Sequence, residues 1–324
     1  MNRRDFLRYS SLIATTGLLS RSLLAQTAAP ATASTAAAAA PQPFGEFKPL
    51  RRNVGLFSGR GGTIGWLASP DALAVVDTQF PDTAATCLAG LPGRGDRKID
   101  VVINTHHHGD HTSGNRVFRP AAKAIVAQAN VPKLQFAAAQ RAAQDQKNAS
   151  RSRLEDQVYA DTTFDQTWRR ELGDEVVSAH YFGPAHTNGD AIIVFEKANV
   201  VHMGDLVFNR LYPVIDRPGG ASVRGWIRLL EDAAKSLPAD AIYVFGHGKP
   251  EFGVTGKRDD LLMMRDYWTG VLEYVEEQMA AGKGKPEIVG LENLAGFPDF
   301  HQKLPNRLGG NLATAFDELT AATP

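Results

Sequence analysis

The sequence predicts an α/β (α+β) fold, built as an αβ/βα four-layer sandwich of two mixed β-sheets with outer helices. Two observations predict it: short β-branched and apolar runs fall into two blocks of sequence, and helical patterns follow each block. Because each sheet must bury a face against another layer, two such blocks pack back to back with helices outside. The chain has 324 residues and 43 % hydrophobic content, enough to bury a substantial core, and we expect one main domain.

The first block begins near Phe44 and is typical of an antiparallel meander, followed by a strand that leads into a histidine-rich loop. Gly-rich and Pro-Asp turns separate its runs. The predicted strands are 54–58, 63–68, 72–77 and 99–104. Helices are predicted at 82–91 and at 128–153, the second of which would form a lid or an outer helix.

The second block alternates strands and helices up to about residue 283. Its predicted strands are 163–170, 176–182, 191–196, 200–203 and 241–245, and its predicted helices are 222–236 and 257–279. Ser222 is expected to cap the first of these helices. The remaining chain is punctuated by Gly, Pro and Asn and ends in a predicted helix at 310–321, without a motif that indicates chemistry.

Four of the nine histidines fall in the run His106-His107-His108-Gly109-Asp110-His111, and this run predicts a metal site. In an extended segment alternate side chains share a face, so His106 and His108 project to one side and His107 projects away. Two imidazoles can therefore bind one ion. Asp110 and His111 follow as the chain turns, and nitrogen and oxygen ligands together suit zinc.

Three further candidate ligands lie downstream: His186, Asp205 and His247. Each directly follows a strand-like run, so each is expected where a strand ends and a loop begins. Open α/β sheets place their sites at this end of the strands. The three side chains are therefore expected to join the histidine-rich loop in one centre.

In this order, the seven residues resemble the ligand set of the metallo-β-lactamase superfamily of binuclear metallohydrolases, over roughly residues 50 to 255. The resemblance implies two metal ions per chain, most often zinc and sometimes iron. It implies that Asp205 bridges the two ions. The first ion would be held by His106, His108 and His186, and the second by Asp110, His111 and His247.

The resemblance leaves the substrate open. One β-lactamase subclass has a cysteine ligand where Asp205 stands, but the single cysteine of this chain, Cys87, precedes the metal loop and is expected to pack in a helix. Asp205 is similar to its counterpart in glyoxalase II-like thioesterases, lactonases and phosphodiesterases, whereas the stretch 183–195 also resembles lactamases. We therefore expect a hydrolase of a lactone, thioester, ester or β-lactam, with a true β-lactamase as the rival. A non-hydrolytic metal-binding or redox accessory protein is the alternative of another class.

In such a centre a hydroxide held between two ions acts as the nucleophile, because metal ions lower the pKa of water from about 15.7 to near 7. Asp110 is the predicted catalytic residue, which would orient this hydroxide. Asp77 and Thr187 are candidates for accepting the second N–H of a ligating imidazole. Asn209 and Tyr212, downstream of Asp205, are candidate substrate contacts.

The first 25 residues resemble a twin-arginine signal peptide, with Arg3-Arg4-Asp5-Phe6-Leu7 before an apolar stretch and a small-residue region. The stretch is shorter than the roughly 20 residues of a membrane span, so no stable insertion is expected after signal removal. The sequence thus predicts twin-arginine export to the periplasm, a disordered Ala/Thr/Pro linker at 26–43, and a metallo-β-lactamase-like hydrolase domain at 44–324.

The charge balance favours a small-molecule substrate. The chain carries 35 basic and 35 acidic residues, and removal of residues 1–25 would leave it slightly acidic. Without a basic stripe there is no indication of a nucleic-acid partner. A single cysteine also excludes an internal disulfide, so stability must come from packing and metal binding.

Overall fold

Two mixed β-sheets form the body of the fold, as the sequence predicts. The structure is a computed structural model that describes residues 45–144, 154–302 and 305–321. The predicted signal peptide 1–25, the predicted linker 26–43 and the end of the predicted helix 128–153 lie outside the described residues.

The first sheet has seven strands in sequential order. The first four are antiparallel, and β4 to β7 are parallel. The strands are β1 (Glu46–Arg51), β2 (Val54–Ser58), β3 (Ile64–Ala68), β4 (Leu73–Val76), β5 (Val101–Ile103), β6 (Ile125–Gln128) and β7 (Thr162–Phe164).

The second sheet has six strands in the order β15-β13-β11-β10-β9-β8, and only the β11/β13 pair is parallel. These strands are β8 (Thr167–Leu172), β9 (Glu175–Tyr181), β10 (Ala191–Phe195), β11 (Val200–His202), β13 (Ile242–Val244) and β15 (Thr255–Gly256). A separate parallel pair is formed by β12 (Phe208–Asn209) and β14 (His247–Gly248).

Helices cover the outer face of each sheet. The first sheet carries α1 (Pro81–Gly90), α2 (Gly109–Thr112), α3 (Asn115–Phe118) and α4 (Val131–Gln144) between its strands, and the second carries α5 (Val223–Ser236), α6 (Arg258–Ala280), α7 (Lys285–Ile288) and α8 (Arg307–Thr320). Within the described residues no helix is both long and apolar enough to cross a membrane.

Strand β4 shows how the sequence builds the layers. Its side chains alternate with period two. Leu73 and Val75 pack with Cys87 and other residues of the helices outside, whereas Ala74 and Val76 pack toward the second sheet. All four are fully buried, so the sheet is covered on both faces. A third apolar cluster joins the other side of the second sheet to α5, α6 and α8, which completes four layers.

Several elements differ from the sequence-based expectation. Strands β1 and β6 were not predicted, and the predicted strand 163–170 is two strands, β7 and β8, in different sheets. The chain bends at Asp165 and Gln166, where it passes from the first sheet to the second. Helix α4 begins three residues later than predicted because Gln128 ends β6 and its Oε1 accepts a hydrogen bond from the Asn130 N–H at 2.6 Å.

Candidate metal centre

The predicted ligands converge on one edge of the sandwich, where strands of both sheets end. The histidine-rich loop follows β5 of the first sheet, and α2 carries Asp110 and His111. The second sheet supplies His186 after β9, Asp205 after β11 and His247 after β13. Backbone hydrogen bonds join the two halves here, since the Thr63 N–H donates to the Gly246 carbonyl at 2.9 Å.

The side chains form two ligand groups that share this edge. Within each group, the candidate ligand atoms lie within 4.8 Å of one another. One group comprises His106, His108, His186 and Asp205, and the other comprises Asp110, His111 and His247. The structure thus brings together all seven predicted ligands, in the two groups that the sequence analysis expects.

The carboxylate of Asp205 lies between the two groups. Its Oδ2 is 3.7 Å from Nε2 of His186 and 3.4 Å from Nε2 of His247. Its Oδ1 is 3.1 Å from Nε2 of His111. One carboxylate therefore faces imidazoles of both groups.

Two glycines make this close packing possible. A Cβ at Gly246 would lie 1.9 Å from Oδ1 of Asp205, and a Cβ at Gly62 would lie 2.1 Å from Cε1 of His111. Real Cβ atoms do not approach other atoms so closely, so any other residue at either position would displace a candidate ligand. The backbone approaches the ligands from both sheets.

The donor atoms of the two groups are suited to binding metal ions. Nε2 of His106 is buried without a hydrogen-bond partner among the described residues, and the buried Nε2 of His111 and Oδ1 of Asp205 face each other at 3.1 Å with no other partner among them. A buried polar atom without a partner is costly, and such atoms are usually paired or bind metals. Imidazole nitrogens and carboxylate oxygens converging in this way are the ligand types that zinc and iron accept.

The electrostatics of the first group favour neutral imidazoles at His106 and His186. Burial, together with the neighbouring histidines, holds the pKa of His106 well below its usual range, and burial lowers the pKa of His186 to about 3. Burial opposes ionisation of Asp205, but the charges of His247 and His111 outweigh it and hold its pKa well below the usual range. Neutral imidazole and ionised carboxylate are the forms that bind metal.

In the second group the imidazoles favour the protonated form, because two carboxylates face them. Burial disfavours a charge on His111 and His247, but Asp205 and Asp110 outweigh it. The pKa of His111 is raised well above its usual range, and that of His247 rises to about 9. Metal binding must then release protons from this group, so it is expected to weaken as the pH falls.

Asp77 orients His111, as the sequence analysis predicts. Its Oδ2 lies 2.7 Å from Nδ1 of His111, which leaves Nε2 facing Asp205. Asp77 is fully buried and also accepts hydrogen bonds from the N–H and hydroxyl of Thr105, at 2.8 and 2.7 Å. Its backbone has a φ of 62°, a left-handed conformation that aspartate tolerates better than most residues.

Thr187 does not contact a ligating histidine in the structure. Its N–H and hydroxyl both donate to the Asp190 carboxylate, at 2.7 and 2.6 Å, so it holds its own loop instead. The partner of His186 is the carbonyl of Val214, 2.9 Å from Nδ1.

Asp216 is an outer partner that the sequence analysis missed. Its Oδ2 is 2.9 Å from Nε2 of His108, so His108 offers its Nδ1 to the ligand group, 3.0 Å from Nε2 of His186. The same oxygen is 3.2 Å from Nε2 of His107. Asp216 precedes Arg217-Pro218-Gly219, which in sequence indicates only a turn.

We expect Asp216→Asn to weaken metal binding at the first group by about 10- to 100-fold, because a carboxylate behind a ligating imidazole fixes its orientation and raises its basicity. Competition with a chromophoric chelator measures the affinity. The matched control is Asp299→Asn, which changes an exposed aspartate. Equal affinities in both variants would contradict this role for Asp216.

The two candidate substrate contacts do not lie at the centre. The side-chain N–H groups of Asn209 donate to the carbonyls of Phe252 and Gly253, at 3.2 and 3.0 Å. Tyr212 packs against the rings of Tyr267 and Phe300. Both are buried, and neither lines the cavity next to the ligands.

A cavity of about 630 Å³ lies against the ligand groups. His108, Asp110, Asp205 and His247 line one part of it. The remaining wall is partly apolar and carries two arginines, and its residues include Arg60, Phe80, Ala138, Ala139, Ala142, Val214 and Arg307. A small organic molecule can therefore reach the centre and bury an apolar portion there.

Comparison with known proteins agrees with this geometry. A family model described as the metallo-beta-lactamase superfamily matches residues 58–247. No curated protein matches the chain.

Three solved structures are similar in fold. A stereoselective inverting sec-alkylsulfatase from Pseudomonas sp. has a TM-score of 0.62 and 14 % identity, over 86 % of this chain and 51 % of its own. Metallo-β-lactamases from Hirschia baltica and Pontibacter korlensis both have a TM-score of 0.54, with 17 % and 15 % identity. The match covers 69 % of this chain and 97 % and 99 % of theirs. The chain thus spans about half the length of the alkylsulfatase.

Proposed function

Because the chain belongs to the metallo-β-lactamase superfamily, we propose that it is a hydrolase that works with two metal ions, most simply zinc. Its substrate is a carboxyl-derived compound, namely a lactone, thioester, ester or β-lactam. The observation that carries this proposal is the position of Asp205. Its carboxylate faces two ligand groups that contain buried metal-ligating atoms with unsatisfied hydrogen-bonding capacity. A centre that only stored one ion would not need the second group.

His106, His108 and His186 would hold one ion, Asp110, His111 and His247 the other, and Asp205 would contact both. When bound, the ions supply Lewis-acid chemistry, which lowers the pKa of water to near 7 and polarises the scissile group.

Asp110 is the group best placed to handle the proton of the attacking water. Its carboxylate lines the cavity, is 28 % exposed and lies 3.0 Å from Nε2 of His247. Burial opposes its ionisation, but the charge of His111 holds its pKa below the usual range, so it is an anion at neutral pH. An anionic carboxylate at the cavity wall can orient a water by accepting its hydrogen bond.

The apolar part of the cavity would hold the non-reacting portion of the substrate. Phe80, Val214 and the alanines of α4 line it. Burial of the substrate against this surface excludes water and places the scissile group beside Asp110. Small alanine side chains leave room for a linear or cyclic skeleton.

Product formation by the zinc-loaded protein tests the proposal, with a cephalosporin, a homoserine lactone, a glutathione thioester and a secondary alkyl sulfate. The sulfate ester is included because the fold match to the sec-alkylsulfatase extends over 86 % of the chain. We expect turnover of one carboxyl-derived compound, lost on chelation and restored by zinc. Turnover of the sulfate alone would move the substrate class to sulfate esters. Absence of turnover on all four would overturn the hydrolase proposal and favour a non-hydrolytic metal-binding role.

We also propose that the protein is exported to the periplasm by the twin-arginine route. The support is the sequence Arg3-Arg4-Asp5-Phe6-Leu7 and the apolar stretch after it. The variant Arg3→Lys, Arg4→Lys is expected to remain in the cytoplasm, as measured by fractionation and immunoblotting. Arrival of this variant in the periplasm at the wild-type level would show that the paired arginines are not the export signal.

A further inference from the structure

An arginine from the C-terminal helix lines the cavity of the metal centre. Arg307 is the first residue of α8 and is half-buried. It lies well beyond residues 58–247, the part of the chain that the family model matches. Its backbone N–H donates to Oε1 of Gln302 at 2.9 Å, and its guanidinium makes no hydrogen bond or ion pair with the described residues.

The other arginine of the cavity, Arg60, has an anionic partner within the protein. The guanidinium of Arg60 donates to both carboxylate oxygens of Asp82, at 3.2 and 2.7 Å, and lies 4.3 Å from the ring centre of Phe80. Its charge is therefore compensated within the protein. Among the described residues that line the cavity, Arg307 is the arginine without an ion pair.

A guanidinium that lines the cavity without an anionic partner among the described residues is free to pair with an anionic group of a ligand. Burial lowers the pKa of Arg307, yet an arginine keeps its proton at neutral pH and stays cationic. Its planar set of N–H donors matches the two oxygens of a carboxylate or sulfonate. The side chain is thus suited to an oxyanion that enters the cavity with the substrate.

We propose that Arg307 binds an oxyanion of the substrate that is not the scissile group. The hydrolase then prefers anionic substrates over neutral analogues with the same skeleton. This inference rests on the proposed function and deepens it, because it assigns the substrate an anionic group in addition to an apolar portion. It also assigns a specificity role to the C-terminal helix.

A binding experiment tests the oxyanion site without depending on turnover. Isothermal titration calorimetry of the zinc-loaded protein compares 1-hexanesulfonate with 1-hexanol. We expect Arg307→Gln to weaken sulfonate binding by about 10- to 100-fold, the range for losing a charged hydrogen bond, and to leave binding of the alcohol unchanged. The matched control is Arg228→Gln, which changes an exposed arginine of α5 outside the cavity and should behave as wild type.

A kinetic experiment then tests the link to substrate choice, using a 4-nitrophenyl ester with a free terminal carboxylate and its methyl-capped analogue. Arg307→Gln is expected to raise KM for the anionic ester by a similar factor and to leave KM for the capped ester unchanged. If this variant does not fold, Arg307→Lys replaces it. Lysine keeps the charge but not the planar donor pair, so a loss of about 3- to 10-fold is expected.

Equal binding of the sulfonate and the alcohol by the wild-type protein would overturn the proposal, and so would unchanged sulfonate binding by the Arg307 variants. Sulfonate binding that depends on Arg307 in a protein without hydrolytic turnover would instead leave the oxyanion site in place. In that case only the hydrolase proposal would be wrong.

Discussion

Replacement of Asp205 by alanine is expected to remove at least one metal ion per chain and to lower turnover by more than about 100-fold. Outer partners of metal ligands typically contribute 10- to 100-fold, so loss of a ligand that faces both groups should exceed that range. His108→Ala removes a ligand of the first group only. The His108→Ala protein should therefore lose the ion of that group, whereas Asp110, His111 and His247 should still bind theirs. Metal content by mass spectrometry and hydrolysis of the substrate found for the wild-type protein measure both effects.

The controls for this pair are Asp299→Ala and His301→Ala, which change an exposed aspartate and an exposed histidine. Both should keep full metal content and turnover. If metal content and turnover survived both Asp205→Ala and His108→Ala, the ligand assignment would be wrong.

Asp77→Ala is expected to lower the free energy of unfolding by about 3–5 kcal/mol, the range for removing one partner of a buried ionic pair. The change leaves Nδ1 of His111 and two donors of Thr105 without their acceptor in a fully buried position. Alanine is also less favourable than aspartate at the left-handed backbone angle of this position. Denaturant unfolding of the metal-free protein measures the loss without a contribution from metal binding.

Two matched variants separate the possible causes of that loss. Asp77→Asn keeps the side-chain shape and tolerates the backbone angle, so it should lose clearly less stability than alanine. Asp174→Ala removes an aspartate from the exposed ion pair with Arg52, and such pairs contribute up to about 1 kcal/mol. A loss in Asp77→Ala no larger than in Asp174→Ala would show that the buried carboxylate does not stabilise the fold.

The convergence of the candidate ligands could be predicted from sequence because local rules govern it. His106, His108 and Asp110 lie within six residues of one another, so the alternation of side chains along the backbone places them. The later candidate ligands each follow a strand-like run. The family resemblance implies their division into two groups. The four-layer arrangement was predictable for the same reason, since the strands occur in two blocks that are each followed by helices.

The outer contacts could not be predicted in the same way, because they depend on tertiary packing. Asp216 is more than 100 residues from the histidine that it contacts, and its own sequence indicates only a turn. Asn209 and Tyr212 lie close to Asp205 in sequence, yet packing directs both side chains away from the cavity. Arg307 lies in a helix whose sequence carries no motif, and only the fold brings it to the centre.

The supply of ligands from both sheets has a thermodynamic consequence. The first sheet carries the candidate ligands up to His111 and the second carries the rest. Each ligand group therefore contains residues of both sheets, so an ion held by either group would bind only the assembled sandwich. Any ligand that binds the folded state alone stabilises it by RT ln(1 + [L]/Kd), which is about 2.7 kcal/mol at 100 times Kd. The ions would then act as a noncovalent cross-link between the halves of a protein that has a single cysteine. The proposed metal binding therefore predicts that the resistance of the protein to heat rises and falls with the free concentration of the ion that it binds.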